Sequence, residues 1–223
     1  MIEGGTTADP QPTNIVRPDG EQGVETPGLG MMGMWVFLAS LSMLFLAGII
    51  GVLWIRISAT SWPPPGVPPL PLALVGSTIL ALGCSVTMQL GLNAIRKGEG
   101  EKLNRMLWLT NGLAFGFLAL QTLCWIQFYG QADFSAPKPM DPMEARLQGP
   151  RPELYGFIFF MLTVVHALHV VGGMIALGVT TWRARQGAYN WAHYPGVRHA
   201  TLYWHFLDVV WLVLYALLIV LTF

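Results

Sequence analysis

The chain has 223 residues, of which 53% are hydrophobic and 11% charged, and its formal net charge is zero. Soluble domains carry about 25% charged residues, so this composition excludes an ordinary water-soluble globule. Zero net charge also gives no electrostatic reason to expect a nucleic-acid partner.

The first thirty residues are rich in Gly, Pro, Thr and acids and hold few large apolar side chains. A segment of that kind cannot bury enough surface to order itself, so residues 1–30 are expected to be disordered. They lack the basic start and early apolar run of a signal peptide. The first apolar span is therefore expected to serve as its own insertion signal.

From residue 31 onward the chain reads as one membrane domain, 31–223. Five apolar segments exceed the roughly 20 residues that a helix needs to cross the hydrocarbon core. They fall at about 32–57, 70–95, 103–129, 154–182 and 200–222. The fold class is accordingly all-α, an integral membrane bundle of five transmembrane helices. Breakers and charges separate the spans. A Pro-rich run at 61–69 follows the first, and a charged run at 96–102 follows the second. A longer loop at 130–153 carries Pro137, Pro139, Pro142, Pro150 and Pro152, and residues 186–198 precede the last span. Irregular backbone is not tolerated where it faces lipid tails, so these loops belong at the two membrane surfaces.

Orientation follows from Lys and Arg, because acidic residues count for little in this rule. The tail, second loop and fourth loop share one side, with Arg17, Arg96, Lys97, Lys102, Arg105, Arg183, Arg185 and Arg198. The opposite side has Arg56, Lys138, Arg146 and Arg151. The N-terminus is expected inside and the C-terminus outside. Arg96, Lys97, Lys102 and Arg105 read first as an orientation signal and second as a site for acidic lipid headgroups.

Several features have structural readings. Cys84 and Cys124 lie at different depths on the second and third spans, which predicts two free thiols. Most of the nine tryptophans lie near span ends, as in an interfacial belt. Gly48 and Gly51, and the pair Gly172 and Gly173, would let helices approach closely. Gln89, Asn93, Asn111, Gln121 and Gln127 read as inter-helix hydrogen-bonding groups.

The sharpest feature is an ionisable pair in hydrocarbon. His205 and Asp208 lie three apart on the fifth span, and Asp208 is the sole acid in any of the apolar segments. Intramembrane ionisable groups cost a few kcal/mol each on insertion scales and are usually paired and functional. His166 and His169 are also three apart, on the fourth span, so each pair shares a helix face. Three readings follow. The four residues form a hydrogen-bonded cluster that pins the fourth helix to the fifth, or a metal site, or two of the histidines hold a haem between helices.

These residues sit in two blocks that carry a resemblance. Tyr203-Trp204-His205-Phe206-Leu207-Asp208-Val209-Val210-Trp211 resembles the last-helix signature of subunit III of the haem–copper oxidases. Phe159-Phe160-Met161-Leu162-Thr163-Val164-Val165-His166-Ala167-Leu168-His169-Val170-Val171-Gly172-Gly173 resembles that family's penultimate helix, in the same order and spacing. Gly33-Met34-Trp35-Val36-Phe37-Leu38-Ala39-Ser40 is similar to the family's first shared helix. Ser85-Val86-Thr87, Leu109-Thr110 and Gln121 add weaker support.

The resemblance implies the short five-helix form of a family whose full-length members have seven helices around a lipid-filled cleft. It implies a non-catalytic subunit in the inner membrane of a bacterium, with no cofactor of its own and with bound phospholipids. Its partners would be subunit I, which it would touch directly, and the other oxidase subunits, with haem and copper held by those partners. The complex would be a cytochrome c oxidase or a quinol oxidase. The alternatives are a subunit-III-like component of a nitric oxide reductase and an independent membrane haem protein. Three departures matter. Leu41, Cys124 and Arg198 stand where the family often has acids, so a proton-handling role tied to those acids does not carry over.

Overall fold

The computed structural model describes residues 15–16, 22–23, 29–58, 71–131 and 152–222. Five helices lie in these segments: α1 (Leu29–Ser58), α2 (Ala73–Arg96), α3 (Gly100–Gln131), α4 (Pro152–Arg185) and α5 (Pro195–Thr222). All five are long and apolar enough to cross a membrane. The shortest, α2, has 24 residues, or about 36 Å of rise against a hydrocarbon core of about 30 Å. The expected spans are thus recovered, with most helix ends extending a few residues past the apolar segment. The extensions of α3, α4 and α5 carry charged, polar or proline residues, while α1 gains Leu29, Gly30 and Met31.

Two short strands, β1 (Ile15–Val16) and β2 (Gln22–Gly23), pair antiparallel where no regular structure was expected. Ile15 and Val16 are β-branched and suit a pleated strand. Residues 29 and 30 of the expected tail belong to α1; apart from the two strands, the rest of the tail, and residues 59–70 and 132–151, lie outside the described residues.

Glycine closes two of the helices. Gly98 has φ of 77° and Gly187 has φ of 73°, a left-handed conformation that a residue with a Cβ rarely adopts. After α2, the Gly98 N–H donates to Ile95 O and the Glu99 N–H to Ala94 O, each at 3.0 Å. After α4, the Ala188 N–H returns to Arg183 O at 3.1 Å. In the loop before α5, the Asn190 side-chain oxygen accepts from the backbone N–H groups of Ala192 and His193.

The chain divides into two compact units, Met1–Leu41 and Ser42–Phe223. In the second unit α2 packs on α3 and α5, and α4 packs on α3 and α5. The four helices therefore close into a ring with antiparallel neighbours. The segment of α1 in this unit reaches α4, where Leu162 lies 3.6 Å from the Cβ position of Gly48. The core is apolar and close-packed, with Leu107, Ala114, Cys124, Leu177, Trp211 and Leu214 fully enclosed. The outside is apolar too, and Leu44, Ile79, Phe115, Leu168, Ile175 and Val213 are exposed. A helix apolar all round fits a membrane span, where lipid tails replace water as solvent.

Candidate functional site

The polar residues of the bundle fall into a seam between α2 and α5 and a histidine enclosure at the centre of the ring. In the seam, His205 Nδ1 lies 2.9 Å from Ser85 Oγ and its Nε2 lies 3.1 Å from Gln89 Oε1. The Gln89 amide nitrogen donates to Asn93 Oδ1 at 3.3 Å. Asp208 is buried at 7% exposure, and its Oδ2 has no hydrogen-bond partner. Ser85 and Gln89 are four apart on one helix and His205 and Asp208 three apart on the other, so each pair presents one face. The helices run antiparallel, and His205 meets both Ser85 and Gln89.

At the centre, Trp211 joins three helices. Its indole N–H donates to Thr78 Oγ1 on α2 at 3.0 Å. Its ring meets Phe117 of α3 edge-on, with centroids 5.1 Å apart and planes at 89°. The same ring lies 5.1 Å from the His166 ring of α4. Phe117 and Phe45 complete the enclosure of His166, with centroids at 5.8 and 6.2 Å. His166 is 2% exposed, and its Nδ1 has no partner. His169 packs its ring on Phe45 at 5.2 Å, and its Nδ1 pairs with Val165 O at 2.7 Å.

Hydroxyls tie the remaining helix pairs. Thr87 of α2 and Thr110 of α3 share a hydrogen bond of 2.7 Å. Asn111 of α3 donates to Thr181 of α4 at 3.1 Å, and Trp125 donates to Thr163 at 2.9 Å. Threonine works here because its hydroxyl can also bond the carbonyl one turn back on its own helix, as Thr110 does to Met106 O at 2.8 Å and Thr181 to Leu177 O at 2.8 Å.

The expected single cluster of His166, His169, His205 and Asp208 does not form. Helices α4 and α5 are antiparallel neighbours as expected, but α5 presents other residues to α4. The Tyr203 hydroxyl donates to His169 O at 3.0 Å, and Tyr203 and Leu207 cover Gly173. His205 lies two residues from Tyr203, a rotation of about 200° around the helix, so it points to α2. The reason is ring closure, because α5 has two neighbours and its polar side faces the earlier one.

Other expectations are corrected by position. Trp204 and Trp211 are buried in the bundle rather than placed in an interfacial belt. Trp35, Trp54, Trp108, Trp182 and Trp191 are exposed, as a belt requires. Gly173 is a point of close approach, since a Cβ there would lie 2.8 Å from the Tyr203 ring. Gly51 and Gly172 face no neighbour within 4 Å, and Gly48 has only ordinary contact. Gln89 and Asn111 bridge helices. Gln127 is exposed instead, and Gln121 is buried with neither amide atom partnered. Cys84 and Cys124 are free and buried. The Cys84 thiol donates to Thr110 O at 3.8 Å. Arg96, Lys97, Lys102 and Arg105 are exposed around the α2–α3 turn, and Lys102 pairs with Glu99 at 3.1 Å.

Among the described residues no three His, Cys, Asp or Glu side chains gather as metal ligands. Both ring nitrogens of His205 bond α2, and His169 Nδ1 bonds its own helix.

Residues 20–222, which include the seam, the enclosure and all five helices up to Thr222, match cytochrome c oxidase subunit III. The chain belongs to that family. Cytochrome c oxidase subunit 3 of Synechocystis sp. is 33% identical over 193 residues, covering 86% of this chain and 75% of its own length. The subunit 3 of Thermostichus vulcanus is 30% identical over 200 residues, covering 89% of this chain and 90% of its own. That of Gallus gallus is 32% identical over 212 residues, covering 91% and 74%. Five apolar helices and this family make the chain a multi-pass membrane protein. In this chain the fourth-span block supplies His166 and the last-span block supplies His205, Asp208 and Trp211.

Proposed function

We propose that this chain is the non-catalytic subunit III of a respiratory haem–copper oxidase in a bacterial inner membrane. It packs directly beside subunit I, braces it, and retains phospholipid at the shared surface, while haem and copper reside in the partner subunits. The observation that carries this reading is the family match across 20–222, which takes in the polar residues of the bundle. Two structural features support it. The intramembrane histidines are committed to hydrogen bonds and aromatic packing. The outward faces of the helices are apolar and large, which suits a partner or lipid.

Proton uptake belongs to the same proposal at a supporting level. The exposed basic group at Arg96, Lys97, Lys102 and Arg105 can hold acidic headgroups and shape the charge near a proton entry point on subunit I. Leu41 and Cys124, where the family often has acids, place bracing ahead of proton handling.

Deletion of the chain is the test. The remaining complex should assemble and start turnover at a near-normal rate, then inactivate faster than the intact complex at matched lipid content. Oxygen consumption followed over many turnovers reads this. Immediate and complete loss of activity in an otherwise intact complex would refute the accessory role.

A further inference from the structure

Among the described residues, six buried side-chain polar atoms have no hydrogen-bond partner, and three of them belong to Gln121 and His166. Gln121 is the extreme case. It is fully enclosed on α3, and both its amide nitrogen and its amide oxygen are unmet. His166 on α4 is 2% exposed, and its Nδ1 is unmet. Full enclosure puts the Gln121 amide out of reach of a partner subunit or a lipid headgroup. An amide buried in this way is costly, because it gives up its bonds to water and gains none in return.

The register of α3 on α4 places the two groups in one layer. Phe117 meets the His166 ring at 5.8 Å, and Trp125 donates to Thr163 at 2.9 Å. Gln121 lies midway between Phe117 and Trp125 in the chain, and residues four apart on a helix share a face. Thr163 and His166, three apart on α4, share a face by the same rule. Gln121 therefore stands at the depth of the turn from Thr163 to His166, on the side of α3 that faces α4. Thr163 is already engaged, since its hydroxyl accepts from Trp125 and donates to Phe160 O at 3.2 Å. Gln121 and His166 do not bond each other directly, because the two amide atoms and Nδ1 are all unmet. Polar groups that share a layer but fall short of direct contact are commonly joined by water.

We infer that Gln121 and His166 hold a buried water site inside the bundle, with water bridging the Gln121 amide and His166 Nδ1. The chemistry selects water over other occupants. The amide presents both donors and an acceptor, and an imidazole nitrogen is one or the other according to its tautomer. Water serves each of them simply by turning. An ion would find no opposite charge on an amide to balance it, and an apolar guest would leave the amide unmet. The rings of Phe45, Phe117 and Trp211 around His166 close the site toward the other helices, so this water belongs to the fold and not to bulk solvent. The inference stands on helix register and does not depend on the oxidase assignment.

Cryo-electron microscopy of the intact wild-type complex, at a resolution that shows ordered water, is the first test. Density should appear at about 2.7–3.2 Å from both the Gln121 amide and His166 Nδ1. Water-edited solid-state NMR of the complex, with isotope-labelled histidine in deuterated lipid, is the second. The His166 Nδ1 signal, assigned by its loss in His166→Phe, should receive magnetisation from water protons. Gln121→Met keeps the length of the side chain and removes the amide, so the transfer should be lost while the His166 signal remains. The density is read on the wild-type complex, so the test holds even if a variant fails to assemble. A map without water between the two groups, or equal transfer in Gln121→Met and wild type, would overturn the proposal.

Discussion

Trp211 links the ring at three points, touching Thr78, Phe117 and His166 on three different helices. Replacing it with alanine should remove those contacts and leave a void that close-packed neighbours fill only in part. A loss of about 3 kcal/mol or more is expected. Trp211→Phe keeps most of the ring and loses the bond to Thr78, so about 1 kcal/mol is expected. Thermal unfolding in micelles should rank wild type above Trp211→Phe and Trp211→Ala last. Equal loss in both variants would mean that the indole N–H, rather than packing, carries the effect. Gly173 is a second sensitive position, since any Cβ there meets the Tyr203 ring at 2.8 Å. Gly173→Val should cost about 1–3 kcal/mol by overpacking, while Gly172→Val, with nothing within 4 Å, should be close to neutral. At this scale the sequence showed which residues were exceptional but not whom they met. His205 and Asp208 stood out as ionisable groups in hydrocarbon, yet the partners of His205, Ser85 and Gln89, lie 120 and 116 positions away in the chain. The aromatic enclosure of His166 left no signal, because Phe45, Phe117 and Trp211 are ordinary residues of apolar spans.

The elements were far more legible than their facing. All five spans could be read from length and apolarity, but not their exact ends, which fall at Gly98, Gly187 and the prolines at 152 and 195. Rotation about each helix axis was not legible. Periodicity weakens when both the lipid side and the protein side are apolar, so the pattern that orients a soluble helix is faint here. Chain neighbours were a fair guide to spatial neighbours, since α4 does pack on α5. What that guide omitted is that a closed ring gives α5 a second neighbour from much earlier in the chain. The seam can be measured by a double-mutant cycle on Gln89→Leu and His205→Phe. A coupling of about 0.6 kcal/mol is expected, with about 1.7 as a ceiling for membrane hydrogen bonds. A cycle on His205→Phe and His169→Phe should give a coupling near zero. A larger coupling across α4 and α5 than across α2 and α5 would contradict the observed facing.

For the whole molecule, alternate loops differ in basic content, and this sets an expected topology with the N-terminus inside and the C-terminus outside. Single cysteines placed in the α2–α3 turn and at position 190 should react only with reagents supplied from the inside. A cysteine in the loop at 132–151 should react only from the outside. Outside labelling at position 190 would reverse this orientation.

The separation of the seam residues along the chain also has a consequence for how the protein is made. Of the five helices α5 leaves the ribosome after the other four, and it carries the polar pair that hydrocarbon would reject most strongly. Its acceptor surface on α2 is synthesised more than a hundred residues earlier. The hairpin of α2 and α3, closed by a three-residue turn and by the Thr87–Thr110 hydroxyl bond, can be complete before α5 emerges. Asp208 then enters the bilayer beside a docking face that is already in place, and need never cross bare lipid as an orphan. Ser85 and Gln89 would thus act during biogenesis as a receiving berth for α5, a duty finished before the mature complex exists.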